Sequence, residues 1–420
     1  MTWPRRTKTI SPLKWRVLES LNYREFRLLW YGQVFTAMAT WMDSIARGWL
    51  IYELTNSSFQ LGLVRGVQAI PTLLLSPIAG STADLYSRKT QILIAQVVDG
   101  LLYAWVAVMI ITGDIQPWHV YLTSLGLATV QAFQLPSRAA MVADAVPPSC
   151  LTNAMGLNAV VFNSARSAGP ALAGVLIALY GTAGSYSIQA LFFLLATVWT
   201  IMLRPKQRLS RVAKNPAEHP ESFRQNILEG WKFSWRNYEV RAGLLVVSAA
   251  MFLLIPFTTL LPVFARDILQ VGARGQGILL TCMGGGALFS SVLVAFLGDR
   301  MPRGLVMIGG VALYGILLVM FAASSSFVLS MALMFFVGLC HVTSHALIQI
   351  VVQFYSPPEF RGRTMSIFHM TQVLLVVGAM FIGSLATFIG ARWATAVLGV
   401  IGALAMTAIY TLMPRARRIR

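Results

Sequence analysis

Charge is scarce in this chain. Of its 420 residues only 11% are Asp, Glu, Lys or Arg, while 56% are apolar. A soluble domain of that make-up would lack the polar groups to cover its surface, so most of the chain must have lipid as its solvent. Acid is scarcer still, with 15 Asp and Glu against 33 Lys and Arg, a net charge of +18. The three cysteines, Cys150, Cys282 and Cys340, are odd in number and lie in or beside apolar runs, which argues against a disulfide framework. No Gly-x4-Gly-Lys-Ser/Thr segment occurs, which argues against an ATP-driven pump. A nucleophile elbow and a zinc-protease signature are lacking too. His341-x3-His345 has no carboxylate or thiolate beside it to complete a metal site. Neither an enzyme nor a bound cofactor or metal is expected.

What the chain has in abundance is apolar runs of about 20 residues, the length that crosses a ~30 Å hydrocarbon core at ~1.5 Å per residue. Such spans fall at 26–53, 59–83, 90–112, 118–142, 151–180 and 185–203, then at 242–265, 275–297, 305–323, 327–355, 364–389 and 393–413. The expected fold is an all-α membrane protein with 12 transmembrane helices in two six-helix bundles. Its expected segments are an N-terminal segment 1–25, a first bundle 26–203, a linker 204–241, a second bundle 242–413 and a basic tail 414–420. In the linker Phe223, Ile227, Leu228, Trp231 and Trp235 recur at helical spacing beside Arg224, Lys232 and Arg236. That pattern suits either an amphipathic helix on the inner leaflet or a solvated connector.

The basic excess raises the question of nucleic acid, and its placement answers it. With the N-terminus inside, only Arg266, Arg274 and Arg392 fall on the outer side, and Arg47, Arg65, Arg138 and Arg166 lie within spans. All other Lys and Arg residues sit in inner segments. This is the positive-inside pattern, so both termini are expected in the cytoplasm of a bacterial inner (plasma) membrane protein that binds no nucleic acid. The charged start runs directly into a full span without a small-residue cleavage site, so the first helix is expected to act as an uncleaved anchor.

The two sets of six are weakly repeated. Asn22-Tyr23 ahead of span one matches Asn237-Tyr238 ahead of span seven. Gly80, Asp84 and Arg88 after span two are echoed by Gly298, Asp299 and Arg303 after span eight, and Pro147-Pro148 by Pro357-Pro358. The common offset is a little over half the chain. The loop Gly80-Ser81-Thr82-Ala83-Asp84-Leu85-Tyr86-Ser87-Arg88-Lys89 resembles the major facilitator superfamily motif Gly-x-Leu-Ala-Asp-Arg-x-Gly-Arg-Lys, departing from it at Leu85 and Ser87. The stretches Pro136-Ser137-Arg138, Ala168-Gly169-Pro170-Ala171-Leu172-Ala173-Gly174 and Phe360-Arg361-Gly362-Arg363-Thr364-Met365-Ser366 are similar to the enterobactin-exporter-like branch, the transmembrane secretion effectors.

The resemblance implies a fold of two parallel halves that rock about a central cavity lined by spans one, four, seven and ten. It implies that Gly80, Asp84, Arg88 and Lys89 form a conformational latch, with Asp84 facing the start of span eleven near Arg363. On that reading, neutralising Asp84 biases the carrier toward an inward-open state. It also implies that Arg166, Gly169, Pro170 and Gly174 on span five form an antiporter-like motif, faced by Gly284-Gly285-Gly286 or serving only as close helix packing.

Polar side chains inside a bilayer are costly and so are functional candidates. Gln33, Thr40, Asp43 and Arg47 share one stripe of span one; Gln131, Gln134 and Arg138 share one of span four. His341, His345, Gln349 and Gln353 share one face of span ten, and span seven offers Phe252, Pro256, Phe257 and Thr258. These residues are expected to line a substrate cavity, or to hydrogen-bond between helices. Candidates to carry a proton are Asp43, Asp99, His341 and His345. Asp43 also has Arg47 one turn away, so it either titrates or pairs. Arg65 and Arg166 would neutralise an anionic substrate or partner Asp99 or Asp43.

The first functional expectation is a proton-coupled secondary exporter of a small amphiphilic solute, a drug, siderophore or metabolite, working as a monomer in the bilayer. The alternatives are an importer or facilitator on the same fold, and a membrane receptor or scaffold that does not transport.

Overall fold

The structure is a computed structural model that describes residues 18–204, 223–297 and 301–419, with no strand among the described residues. The helices are α1 Arg24–Thr55, α2 Ser58–Leu85, α3 Arg88–Thr112, α4 Pro117–Ala145 and α5 Leu151–Ile201. A linker helix, α6, runs Phe223–Arg236. Then come α7 Tyr238–Ala249, α8 Gly272–Leu297, α9 Arg303–Ala323, α10 Phe327–Phe354, α11 Pro358–Met370 and α12 Gln372–Leu412.

Twelve crossings follow once the two longest helical stretches are divided. At 51 residues α5 would be about 75 Å long if straight, more than twice a ~30 Å core. It breaks at Gly181, whose φ of +69° is open only to glycine at low cost. Gly390, with φ +82°, breaks α12 in the same way, so α11 and α12 together supply the last two crossings. Span seven departs from the regular helix expected over 242–265. It is regularly α-helical to Ala249, then continues as a wide turn at Ala250–Leu254, a tight 3-10 stretch at Ile255–Leu260, a short α-helical turn at Leu261–Val263 and a second wide turn at Phe264–Ile268. Pro256 and Pro262 sit inside this stretch, and each removes an N–H and crowds the preceding turn.

The described residues pack as two units, 18–50 with 67–204, and 51–66 with 223–297 and 301–419. In the first, α3 packs against α4 and against the second arm of α5, where Tyr103 stacks on Phe193 with ring centroids 5.4 Å apart and meets Tyr186 at 6.1 Å. At the Arg88 end of α3 the packing is aliphatic, with Leu28, Leu29, Ile92, Met141 and Leu203 in one buried cluster. Lipid tails are as apolar as these side chains, so the cluster holds by close fit rather than by exclusion of water.

In the second unit α10 packs against α8 and α9, and α9 against α12. The turn between α1 and α2 belongs to this unit by its contacts. The Tyr52 hydroxyl donates to the Asp267 carboxylate, and the Arg266 guanidinium lies 5.6 Å from the Tyr52 ring centre. Nearby, a Cβ on Gly383 would stand 2.7 Å from the Ser58 carbonyl oxygen, so the two backbones touch there.

Candidate transport site

Among the described residues of the first unit, Arg47 is the most highly paired polar group. Its Nε and Nη2 donate to the two Asp43 carboxylate oxygens, each at 2.8 Å. The remaining nitrogen, Nη1, donates to Ser124 Oγ at 2.8 Å, Thr123 Oγ1 at 3.3 Å and the Val120 carbonyl at 3.4 Å. Thr123 and Ser124 turn their own hydroxyl protons onto the carbonyls of His119 and Val120, which frees their lone pairs for the guanidinium. Only 3% of Arg47 is exposed. The pairing alternative for Asp43 is therefore realised, and Arg47 does not line a cavity. It is a buried pin joining α1 to α4, because a guanidinium in lipid needs every acceptor it can reach.

Asp99 lies beside this pin. It is 4% exposed, its Oδ1 has no hydrogen-bond partner among the described residues, and Asp43 and Arg47 are the charges that act on it. One turn away both amide atoms of Gln96 are buried without partners, as are the Tyr186 hydroxyl and Gln189 Oε1 on α5. Span three thus turns a polar stripe into the interior of its unit. Sequence reading missed Gln96, Tyr186, Gln189, Thr123 and Ser124. The signal was present as isolated polar residues within apolar runs, but nothing local said which way they face.

The span-four stripe is real as a surface. Gln131 is exposed, Gln134 is 8% exposed with its Nε2 unpartnered, and Arg138 is partly buried. Arg138 reaches only neutral acceptors on α1, Thr36 Oγ1 and the Leu29 carbonyl, both at 3.3 Å. On span one Gln33 is half-buried and Thr40 exposed, with the Thr40 hydroxyl donating to the Thr36 carbonyl at 2.8 Å.

In the second unit the span-ten stripe places His341 and His345 with ring centroids 6.1 Å apart, both half-buried, His341 near Tyr314 and His345 near Phe368. Gln349 continues it, also half-buried. Phe252 is half-buried and stacks on Phe381 at 5.6 Å. Phe257, expected in the cavity wall, is instead fully buried between Tyr314 and Phe321. The 3-10 stretch at Ile255–Leu260 changes the rotation per residue, so Phe257 leaves the face that a regular helix would have given it.

At the loop motif, Gly80 and Asp84 lie among residues of α2 whose side chains are outside those described. Arg88 forms an ion pair with Asp144 at the end of α4. Lys89 was expected in the latch, but its Nζ donates to the Ile201 and Leu203 carbonyls at 2.8 and 2.7 Å. It caps the last turn of α5, where carbonyls lack intrahelical partners and a cation is favoured. Arg363 pairs with Glu229 of α6, and Phe233 of α6 stacks on Phe360 of α11 at 4.7 Å.

On α5, Gly169, Pro170 and Gly174 are buried. A Cβ on Gly169 would stand 2.7 Å from Trp41 Cβ and 3.2 Å from the Met42 nitrogen, so α1 packs directly on this motif. Arg166 lies 5.6 Å over the Trp41 ring. The glycines expected opposite the motif have their own neighbour: Gly286 lies against Phe335 of α10.

Comparison with known proteins completes the description. The family model described as transmembrane secretion effector matches residues 16–418. The staphyloferrin A transporter of Staphylococcus aureus is 24% identical over 91% of this chain and 94% of its own length. The multidrug efflux pump Tap of Mycobacterium tuberculosis is 23% identical, over 84% of each chain. Among solved structures, a bacterial homologue of the human lysosomal transporter Spinster matches with a TM-score of 0.74 at 14% identity, covering 94% of this chain and 97% of that one.

Proposed function

Because the chain belongs to the transmembrane secretion effector family of major facilitator transporters, we propose that it exports a small amphiphilic solute in exchange for protons. The coarser statement needs no proposal: it is a multi-pass membrane transporter of small molecules, not an enzyme. For the finer one, a siderophore or drug as the solute is favoured by its similarity to a staphyloferrin transporter and a multidrug efflux pump. The distribution of Lys and Arg along the sequence supports cytoplasmic termini, and a monomer in the bacterial inner membrane completes the proposed reading.

The observation that carries proton coupling is Asp99, a buried carboxyl with an unpartnered oxygen beside the Asp43–Arg47 pair. A group that takes up and releases a proton on the way between two access states needs such a place, apart from bulk water but in reach of other charges. His341 and His345 are the corresponding candidates in the second unit. Close packing of Gly169 on α1 supports the antiporter-like reading of span five. The loop motif with Gly80, Asp84, Arg88 and Lys89, and Arg363 in the second unit, remain the proposed latch residues.

Everted membrane vesicles given the lipophilic cation tetraphenylphosphonium, with and without an imposed pH gradient, test this reading. Accumulation driven by the gradient, and abolished by Asp99→Asn without loss of folded protein, is the expected result. Gradient-driven accumulation that survives Asp99→Asn unchanged removes Asp99 from the coupling path. No gradient-dependent accumulation at all removes proton-driven export of such a solute.

A further inference from the structure

Among the described residues Arg138 is a cation without a counter-ion. It sits on α4 seven residues before the helix ends at Ala145, about 10 Å of helix from that end. Its side chain turns into the first unit, where its two hydrogen bonds, at 3.3 Å, go to the neutral Thr36 hydroxyl and Leu29 carbonyl of α1. It forms no ion pair with a carboxylate among the described residues. Arg47, in the same unit, holds both oxygens of a carboxylate at 2.8 Å and three further acceptors. Both arginines carry a cost of leaving water, larger for Arg47 than for the partly buried Arg138, and only Arg47 has it offset by a carboxylate.

One turn before Arg138, on the same face of α4, Gln134 is 92% buried with its Nε2 unpartnered. A guanidinium with donors to spare thus stands one helical turn from an amide N–H₂ with none of its bonds made. Gln131, exposed, continues the row. On the α1 side Gly32 runs beside the guanidinium, where a Cβ would stand 4.0 Å from Arg138 Nη2, an ordinary contact distance. Donors in excess of acceptors, one of them charged, is the composition that receives an oxyanion, and the planar guanidinium fork suits a carboxylate or phosphate held by two bonds.

We propose that Arg138 and Gln134 form a binding site for the anionic oxygen group of the transported solute, a carboxylate or phosphate carried on an otherwise amphiphilic molecule. The proposal rests on the transporter reading above and adds a substrate class to it: acidic amphiphiles, beside the lipophilic cations that a cavity of aromatic and amide groups admits.

Binding is measured on the purified full chain in detergent, from tryptophan fluorescence, with citrate and inorganic phosphate as the anionic probes and tetraphenylphosphonium as the cationic one. Citrate or phosphate binds the wild type. Arg138→Gln weakens that binding about tenfold or more, the loss of a charge-assisted hydrogen bond. Arg138→Lys keeps part of the affinity, Gln134→Leu weakens it several-fold, and phosphonium binding is unchanged in all three. Should Arg138→Gln not fold, Arg138→Lys and Gln134→Leu decide the matter between them. Equal anion affinity in the wild type and the variants overturns the proposal, as does a wild type that binds neither anion. The detergent measurement involves no gradient. Failure of anion binding therefore leaves proton-driven export standing, and failure of gradient-driven export in vesicles leaves the anion site standing.

Discussion

Neutralising Asp43 isolates the energetics of the buried pin. In Asp43→Asn the Arg47 guanidinium stays 3% exposed, keeps its bonds to Thr123, Ser124 and the Val120 carbonyl, and loses two charge-assisted bonds of 2.8 Å. Removing one partner of a buried ion pair costs about 3–5 kcal/mol, because the remaining charge has left water without compensation. Against a total stability of about 5–15 kcal/mol that is a large loss, visible as a lower unfolding temperature of the purified protein in detergent. Arg47→Met alone strands the Asp43 carboxylate, whose side chain is 13% exposed, and also unpins α1 from α4. The double variant Asp43→Asn with Arg47→Met strands no charge, so it is expected to recover most of the stability lost in either single variant. The cycle is read from thermal unfolding of all four proteins, free of any transport assay. If the double variant loses the sum of the two single losses, the pair is not an interacting unit and the reasoning fails. If Asp43→Asn unfolds at the wild-type temperature, Arg47 has another neutralising partner.

Three further outcomes follow from named contacts. Gly169→Ala forces a methyl to within 2.7 Å of Trp41 Cβ and 3.2 Å of the Met42 nitrogen, so overpacking is expected to cost about 1–3 kcal/mol, seen as reduced thermal stability. Tyr52→Phe removes the donor to the Asp267 carboxylate and is expected to cost about 1.5–3 kcal/mol of local stability, read as faster amide exchange at 51–56; unchanged exchange would show that bond to be inconsequential. Glu229→Gln breaks an ion pair with side chains 49% and 28% exposed, so its effect on unfolding is expected to stay within about 1 kcal/mol and to shrink in high salt.

How far the site was legible follows the range of the forces involved. Asp43 and Arg47 stand four apart on one helix, so their pairing is one of the two roles that helical spacing alone allows them. Gly169 and Pro170 announced close packing, yet only the fold supplied Trp41 as the neighbour. Lys89 read as part of a loop motif, and its capping of α5 depended on where the end of a helix more than a hundred residues away came to lie. Phe257 was misplaced because helical periodicity was extended through Pro256, where the backbone no longer keeps that period.

By itself the sequence determined that lipid surrounds the chain, that the crossings come in two sets of six, and which side chains bear polar groups within them. Those properties are local: a run of apolar residues is long enough to span or it is not, and a polar residue in it costs free energy wherever it faces. Only the tertiary structure decided which of those groups meet. Partnership across helices depends on how each helix is rotated and where it breaks, and packing with distant segments sets both. Arg47 found a carboxylate and two hydroxyls, while Arg138 on the same bundle found only neutral acceptors.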